Sequence, residues 1–219
     1  MPRPQTADRI LRAARALFER EGADAVSMRR VAAKAGVSPM AIYRHFADRD
    51  ALLKRICDDS FEEIARHWRA RNRGPDALAR IVALQDVYLD YALAYPHLFD
   101  HAFTARREDA RRYPEDFRAR RSPTLNEVAD AVVEAQAAGA LRRDDPWEVA
   151  MTLWAHSHGL IALYRAGRFN CPTEEFRVLH ARALRRLLEG IAIVPGDASA
   201  ASMSENGECD AASGPMIGA

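Results

Sequence analysis

The stretch Ser38-Pro39-Met40-Ala41-Ile42-Tyr43-Arg44-His45-Phe46 offers more polar chemistry than a short helix needs for its own stability. An arginine can bond guanine or a phosphate, and a tyrosine hydroxyl can donate to phosphate. Methionine and alanine can touch a thymine methyl. On a helical wheel with Ile42 and Phe46 turned to a core, Met40 and Arg44 project away from it. Tyr43 and Ala41 then lie on the flanks, and His45 falls nearer the core side. Ser27 opens the preceding helix, where its hydroxyl and unpaired backbone N–H groups suit another phosphate. Ser27, Arg29, Ser38, Pro39, Met40, Ala41, Tyr43, Arg44 and His45 form the candidate DNA-contact set. On these residues alone, a surface helix hairpin with a solvated face remains open.

A second set lies further along the chain. Tyr88, Tyr91, Tyr95, Phe99, Phe103, Phe117, Trp147, Trp154 and Tyr164 concentrate in its middle. Aromatics around a few polar groups can bind a small apolar effector, and aromatics at helical spacing can equally form plain core. Tyr88, Tyr91, Phe99, Phe103, Trp154 and His158 are the candidate effector contacts. His97 and His101 sit four apart beside Asp100, a spacing that can hold a metal but falls short of a complete ligand set. His156 and His158 diverge on a helix, so only one of them can join such a site. The arginine-rich stretch 104–123 is expected to be a solvated face. No nucleophile–base–orienter set, phosphate-cradling glycine loop or paired-carboxylate site can be picked out, so neither catalysis nor a cofactor is expected.

The elements that must position these residues are helical. Apolar residues at 10, 11, 14, 17 and 18 mark one helix face from Thr6 to Glu21, stopped by Gly22. Ser27 caps a second helix that Gly36 ends. Ser38 caps a third, with Pro39 in the first turn where its missing N–H is harmless. Only "AGVS" joins these two, so they cross steeply, as in a helix-turn-helix. Asp48 caps a much longer fourth helix. An amphipathic helix then runs up to Pro96, "PHLFDHAF" reads as a short helix, and 104–123 as a loop with one helical turn. Further helices cover 124–138, 146–166 and 173–193. From Pro195 the chain is small, polar and aperiodic, the composition of a disordered tail.

Alanine, leucine and arginine dominate while Val/Ile/Thr alternation is scarce, which points to an all-α chain. No apolar run reaches the roughly 18 residues that span a bilayer. The N-terminus lacks the apolar core of a signal peptide, and Cys57, Cys171 and Cys209 have no disulfide or zinc spacing. A cytoplasmic protein without a membrane partner is expected. Residues 1–56 hold 12 Lys/Arg against 6 Asp/Glu, whereas the whole chain is +1. A basic head on an acidic body points to a polyanion partner for the head alone.

Residues 6–56 resemble the DNA-binding domain of the TetR family of bacterial transcription regulators. The resemblance lies in "ILRAARALFEREG", "SMRRVAAKAGVS", "AIYRHF" and "DRDALL". It implies that Ser38–Arg44 is the recognition helix, that Tyr43 and His45 contact phosphates, and that Gly36, Val37 and Phe46 are structural. "SPM" departs from the small or basic residue followed by Gly-Thr of many members, which leaves the operator preference open. "LWAHSHGL" supplies Trp154, His158 and Gly159, similar to the W-x-x-x-H-G (WHG) subgroup. The resemblance further implies a homodimer through the last two long helices, a small-molecule effector, and repression at a pseudo-palindromic DNA operator. The expected domains are a helix-turn-helix head over 1–50, a helical effector-binding and dimerisation body over 51–194, and a tail over 195–219. A metal-sensing regulator using His97 and His101 and a ligand-independent DNA-binder are the alternatives.

Overall fold

The computed structural model describes residues 6–71, 76–104 and 110–193. The tail expected from 195, and residues 105–109 of the expected loop, lie outside these. Among the described residues the elements are helices, and one isolated bridge joins Leu141 to Ala192.

The head is built from α1 (Thr6–Glu21), α2 (Met28–Ala35) and α3 (Pro39–Tyr43). Ile10, Ala14, Leu17 and Phe18 of α1 close over Val31 and Ala32 of α2 and over Ile42 and Phe46, all buried. The starts of α2 and α3 are each capped by a serine. Ser27 Oγ accepts from Arg30 N and Ser38 Oγ from Ala41 N, both at 3.3 Å. Gly36 ends α2 in the left-handed conformation, φ 64°. There its N–H reaches Ala33 O and the next, Val37 N–H, reaches Ala32 O, which satisfies the last carbonyls of the helix. The Arg9 guanidinium donates to Ala35 O at 2.7 Å and to Gly36 O at 3.2 Å, clasping this turn to α1.

The body begins with α4 (Arg49–Arg71), capped by Asp48 Oδ1, which accepts from Ala51 N at 2.7 Å. It continues through α5 (Ala77–Ala94), α6 (Pro96–Phe99), α7 (Glu115–Arg118), α8 (Pro123–Ala137), α9 (Pro146–Arg165) and α10 (Thr173–Ile191). Helices α4, α5, α8 and α9 pack on one another, with α10 against α9. Because α4 also packs on α1, the boundary expected after residue 50 falls at the start of a helix that head and body share.

Expected as a short helix, the segment "PHLFDHAF" is helical throughout, as α6 followed by a π turn over Asp100–Thr104. Two expectations are corrected. The last helix ends at Ile191 rather than Ile193. Arg142 N instead takes Ile191 O at 3.0 Å, and Ile193 N reaches Ala140 O, so the chain leaves the helix to pair with the α8–α9 connection. The stretch 104–123 is only partly a solvated face, because Arg111, Arg112 and Arg121 help to wall the cavity described below.

Candidate nucleic-acid interface and effector cavity

Three residues, Gly36, Val37 and Ser38, separate α2 from α3. With Ile42 and Phe46 buried in the head, the rest of α3 faces outward. Met40 is 67% exposed and Tyr43 53%, so both side chains are available to a partner. Ser38, Pro39 and Arg44 are exposed, Ala41 is half-buried, and at the start of α2 Ser27 is half-buried with Arg29 exposed beside it. Arg30, next to it, is engaged with Glu21 at 2.7 Å. His45, expected nearer the core, is exposed. The helix stops at Tyr43, so beyond it the wheel no longer fixes directions. His45 N and Phe46 N both bond Ile42 O, in a closing turn that draws only Phe46 inward.

A cavity of about 670 Å³ lies in the body. Tyr88, Phe103 and Trp154 of the expected effector set belong to its wall, joined by Phe61, Trp68 and Phe117. Phe103 stands edge-on to Phe61 and to Tyr88, with ring centres 5.2 and 5.3 Å apart. His158 lies behind this wall. Its Nδ1 is 2.9 Å from Tyr88 Oη, and its ring stacks on Phe99 at 5.4 Å. Burial pushes the Tyr88 hydroxyl up and the His158 imidazole down from their usual values, which keeps both partners of this bond in their neutral forms. Phe99 is fully buried behind the wall. Tyr91 is also outside it, on the side of α5 facing Ser60 and Arg15; burial raises its hydroxyl pKa, against the lowering effect of the Ser60 bond and the Arg15 charge.

The mouth is charged. Lys54 pairs with Asp58 and Arg121 with Asp116, while the Arg111 guanidinium lies 5.2 Å over the Phe61 ring. Sequence reasoning missed Trp68, Gln85 and these mouth residues. The inward faces of α4 and α5 were visible, but a gap between them leaves no mark on periodicity.

The π turn connects cavity to head. Phe103 is in the wall, and His101, two residues before it, stands edge-on to Phe18 of α1 at 5.2 Å. Arg165 of α9 holds Asp100 through two bonds of 2.9 and 2.6 Å. His97 packs where α1 ends, its Nδ1 3.5 Å from the position a Cβ on Gly22 would take. The two histidines thus abut α1. Among the described residues no group of three or more His, Cys, Asp or Glu is placed to hold a metal, and no helix is long and apolar enough to cross a membrane.

A three-helix head with an outward recognition helix, set on a helical body that encloses a cavity, defines a helix-turn-helix transcription regulator. Residues 10–56 match bacterial regulatory proteins of the tetR family, and residues 81–189 match the tetracyclin repressor-like C-terminal domain. The chain belongs to the TetR family. No curated protein matches it. Among solved structures, a protein of unknown function from Rhodococcus sp. RHA1 is similar at 27% identity and TM-score 0.73, covering 86% of this chain and 96% of that one. A TetR-family transcriptional regulator from Pectobacterium atrosepticum shares the fold at 19% identity and TM-score 0.66, covering 87% and 96%. So does the transcriptional regulator FadR from Bacillus subtilis in complex with stearoyl-CoA, at 13% identity and TM-score 0.68, covering 84% and 98%.

Proposed function

We propose that the protein is a homodimeric repressor that holds a pseudo-palindromic operator and releases it when a small molecule fills the cavity. The observation that carries this reading is the continuity from cavity wall to head, in which Phe103 and His101 of one π turn face the cavity and α1 respectively. A ligand that packs against Phe103 bears on the turn that supports α1. If it binds better in a conformation that spreads the heads, DNA affinity falls by the same factor, through linkage. A resemblance to the FadR complex supports a ligand-filled body through the fold alone.

In the head, Met40, Ala41 and Arg44 are proposed to read bases. Tyr43, His45, Ser27, Arg29 and Ser38 are proposed to hold phosphates, with Pro39 setting the start of the helix. In the body, Trp154 and His158, whose rings lie 5.8 Å apart, give the proposed WHG assignment its support. Helices α9 and α10 are proposed to form the dimer interface, because Leu163 and Val178 are exposed on them beside half-buried Leu160, Leu179 and Leu187. The division into a head over 1–50, a body over 51–194 and a tail over 195–219 is retained as part of this proposal.

The test is selection of bound duplexes from a random DNA pool by the full chain. The reading expects enriched inverted repeats with half-site centres about 34–36 Å apart. Enrichment of no sequence over the starting pool would refute sequence-specific binding.

A further inference from the structure

The cavity wall contains two side chains that each have a polar atom buried and unmatched. Gln85 of α5 is 1% exposed and Trp68 of α4 is 3% exposed, and both belong to the wall. Neither Gln85 Oε1 nor Trp68 Nε1 has a hydrogen-bond partner. Native structures keep few such atoms, because burying one without a partner is destabilising. Other polar groups of the same wall are satisfied within the protein: Ser122 Oγ accepts from Leu125 N at 3.2 Å, and Tyr88 bonds His158. Around the pair the wall is apolar, with Phe61, Phe103, Phe117, Leu125 and Val128 among its residues.

We infer that the effector is an apolar, ring-bearing molecule carrying a hydroxyl or carboxamide that Gln85 and Trp68 recognise. The inference rests on the cavity being the effector site. An indole N–H asks for an acceptor and an amide oxygen for a donor, and a hydroxyl or carboxamide offers both. Turning the glutamine amide over exchanges its oxygen and nitrogen, and a group that donates and accepts still matches it. Aromatic rings suit a wall of aromatic edges and faces. A ligand of the same shape with a methyl in place of the polar group leaves both protein atoms unmatched. That mismatch is how a site built to hydrogen-bond a ligand rejects its apolar analogue.

Matched probes test this. 2-Naphthalenemethanol, 2-naphthamide and 2-methylnaphthalene are titrated calorimetrically into the full chain. The two polar probes should bind about tenfold or more tightly than the methyl analogue. In Gln85→Leu the preference should shrink to within about twofold while the methyl analogue binds as well or better, and the thermal midpoint should hold or rise because an unmatched acceptor has gone. Trp68→Phe, which removes only the N–H edge, should also narrow the preference and serves where Gln85→Leu folds poorly. Equal binding of all three probes to the wild type, or a preference that survives both substitutions, overturns the inference. Binding by none of them overturns the ring-bearing ligand class. Val128→Trp, which fills the cavity, should abolish binding of every probe. Unchanged affinities in that variant would instead overturn the cavity as the binding site.

Discussion

Arg44 closes α3 as its C-terminal cap, and Tyr43 is the last residue inside the helix. Both are exposed, yet they have different chemistry to offer a duplex. A guanidinium can pair with two acceptors of guanine, whereas a phenol offers one donor that any phosphate satisfies. Arg44→Ala is therefore expected to cost about 1–3 kcal/mol on the preferred operator and to relax discrimination at one base position. Tyr43→Phe should weaken preferred and unrelated duplexes by the same factor. Competition binding against single-base operator variants checks both, and a Tyr43→Phe loss confined to one sequence would contradict a phosphate role. Much of this face was legible in the sequence because its determinants are local: the caps at Ser27 and Ser38, Gly36, and the spacing of Ile42 and Phe46. His45 was misplaced because the helix ends two residues before it. Gln85 was illegible for another reason. Its position on α5 marks it as inward, and no pattern along one helix tells whether the space it faces is filled.

At the scale of elements, the turn between α2 and α3 hangs on one glycine. Gly36 has φ 64°, and a Cβ there would stand 3.3 Å from the Arg9 guanidinium that clasps the turn. Gly139 has φ 72° with nothing within 4 Å of its Cβ position, so a side chain there would meet similar backbone strain without the clash. Alanine at either site should cost about 1–2 kcal/mol in urea unfolding, from left-handed backbone strain. Gly36→Ala alone should also weaken operator binding, since only there does the added methyl press on the clasp that aims α3. The pairing of α9 and α10 has a separate weakness in His180, which is fully buried on α10 with neither ring nitrogen partnered. Burial, reinforced by His156 and Arg177, holds its pKa down from 6.5 to about 4. The unfolded chain therefore binds this proton first as pH falls. The contribution of neutral His180 is complete above about pH 6.5 and is lost progressively towards pH 4, a change on the order of 3 kcal/mol. His180→Phe should flatten that part of the profile of unfolding free energy against pH; an unchanged slope would clear His180 of responsibility. The helices themselves were readable from capping residues and apolar period. The π turn after α6 was not, because its wider winding follows no periodic signal in five residues.

The molecule as a whole was legible as a basic head on an acidic helical body, since charge asymmetry and helix count accumulate over many residues. Whether copies of it combine was not, because an interface looks like any other apolar face until its partner is present. A single head offers one short helix to one groove, and phosphate contacts alone bind any sequence. Two heads held at a fixed distance convert the second contact into an intramolecular one, which multiplies affinity and makes spacing part of the specificity. If α9 and α10 supply that fixed distance, their exposed Leu163 and Val178 are where it can be broken without touching head or cavity. Leu163→Arg with Val178→Arg adds a cluster of like charges to a two-fold face, which costs far more across an interface than on a free surface. The variant should sediment as a monomer at micromolar concentration and lose at least about tenfold in operator affinity. Its dependence on salt should fall to roughly half the wild-type slope, because one head neutralises half the phosphates. It should still bind the cavity ligand, since the cavity lies within one chain. A variant that stays dimeric with full operator affinity would place the interface elsewhere, and the distance between recognition helices would then have to be set by another face.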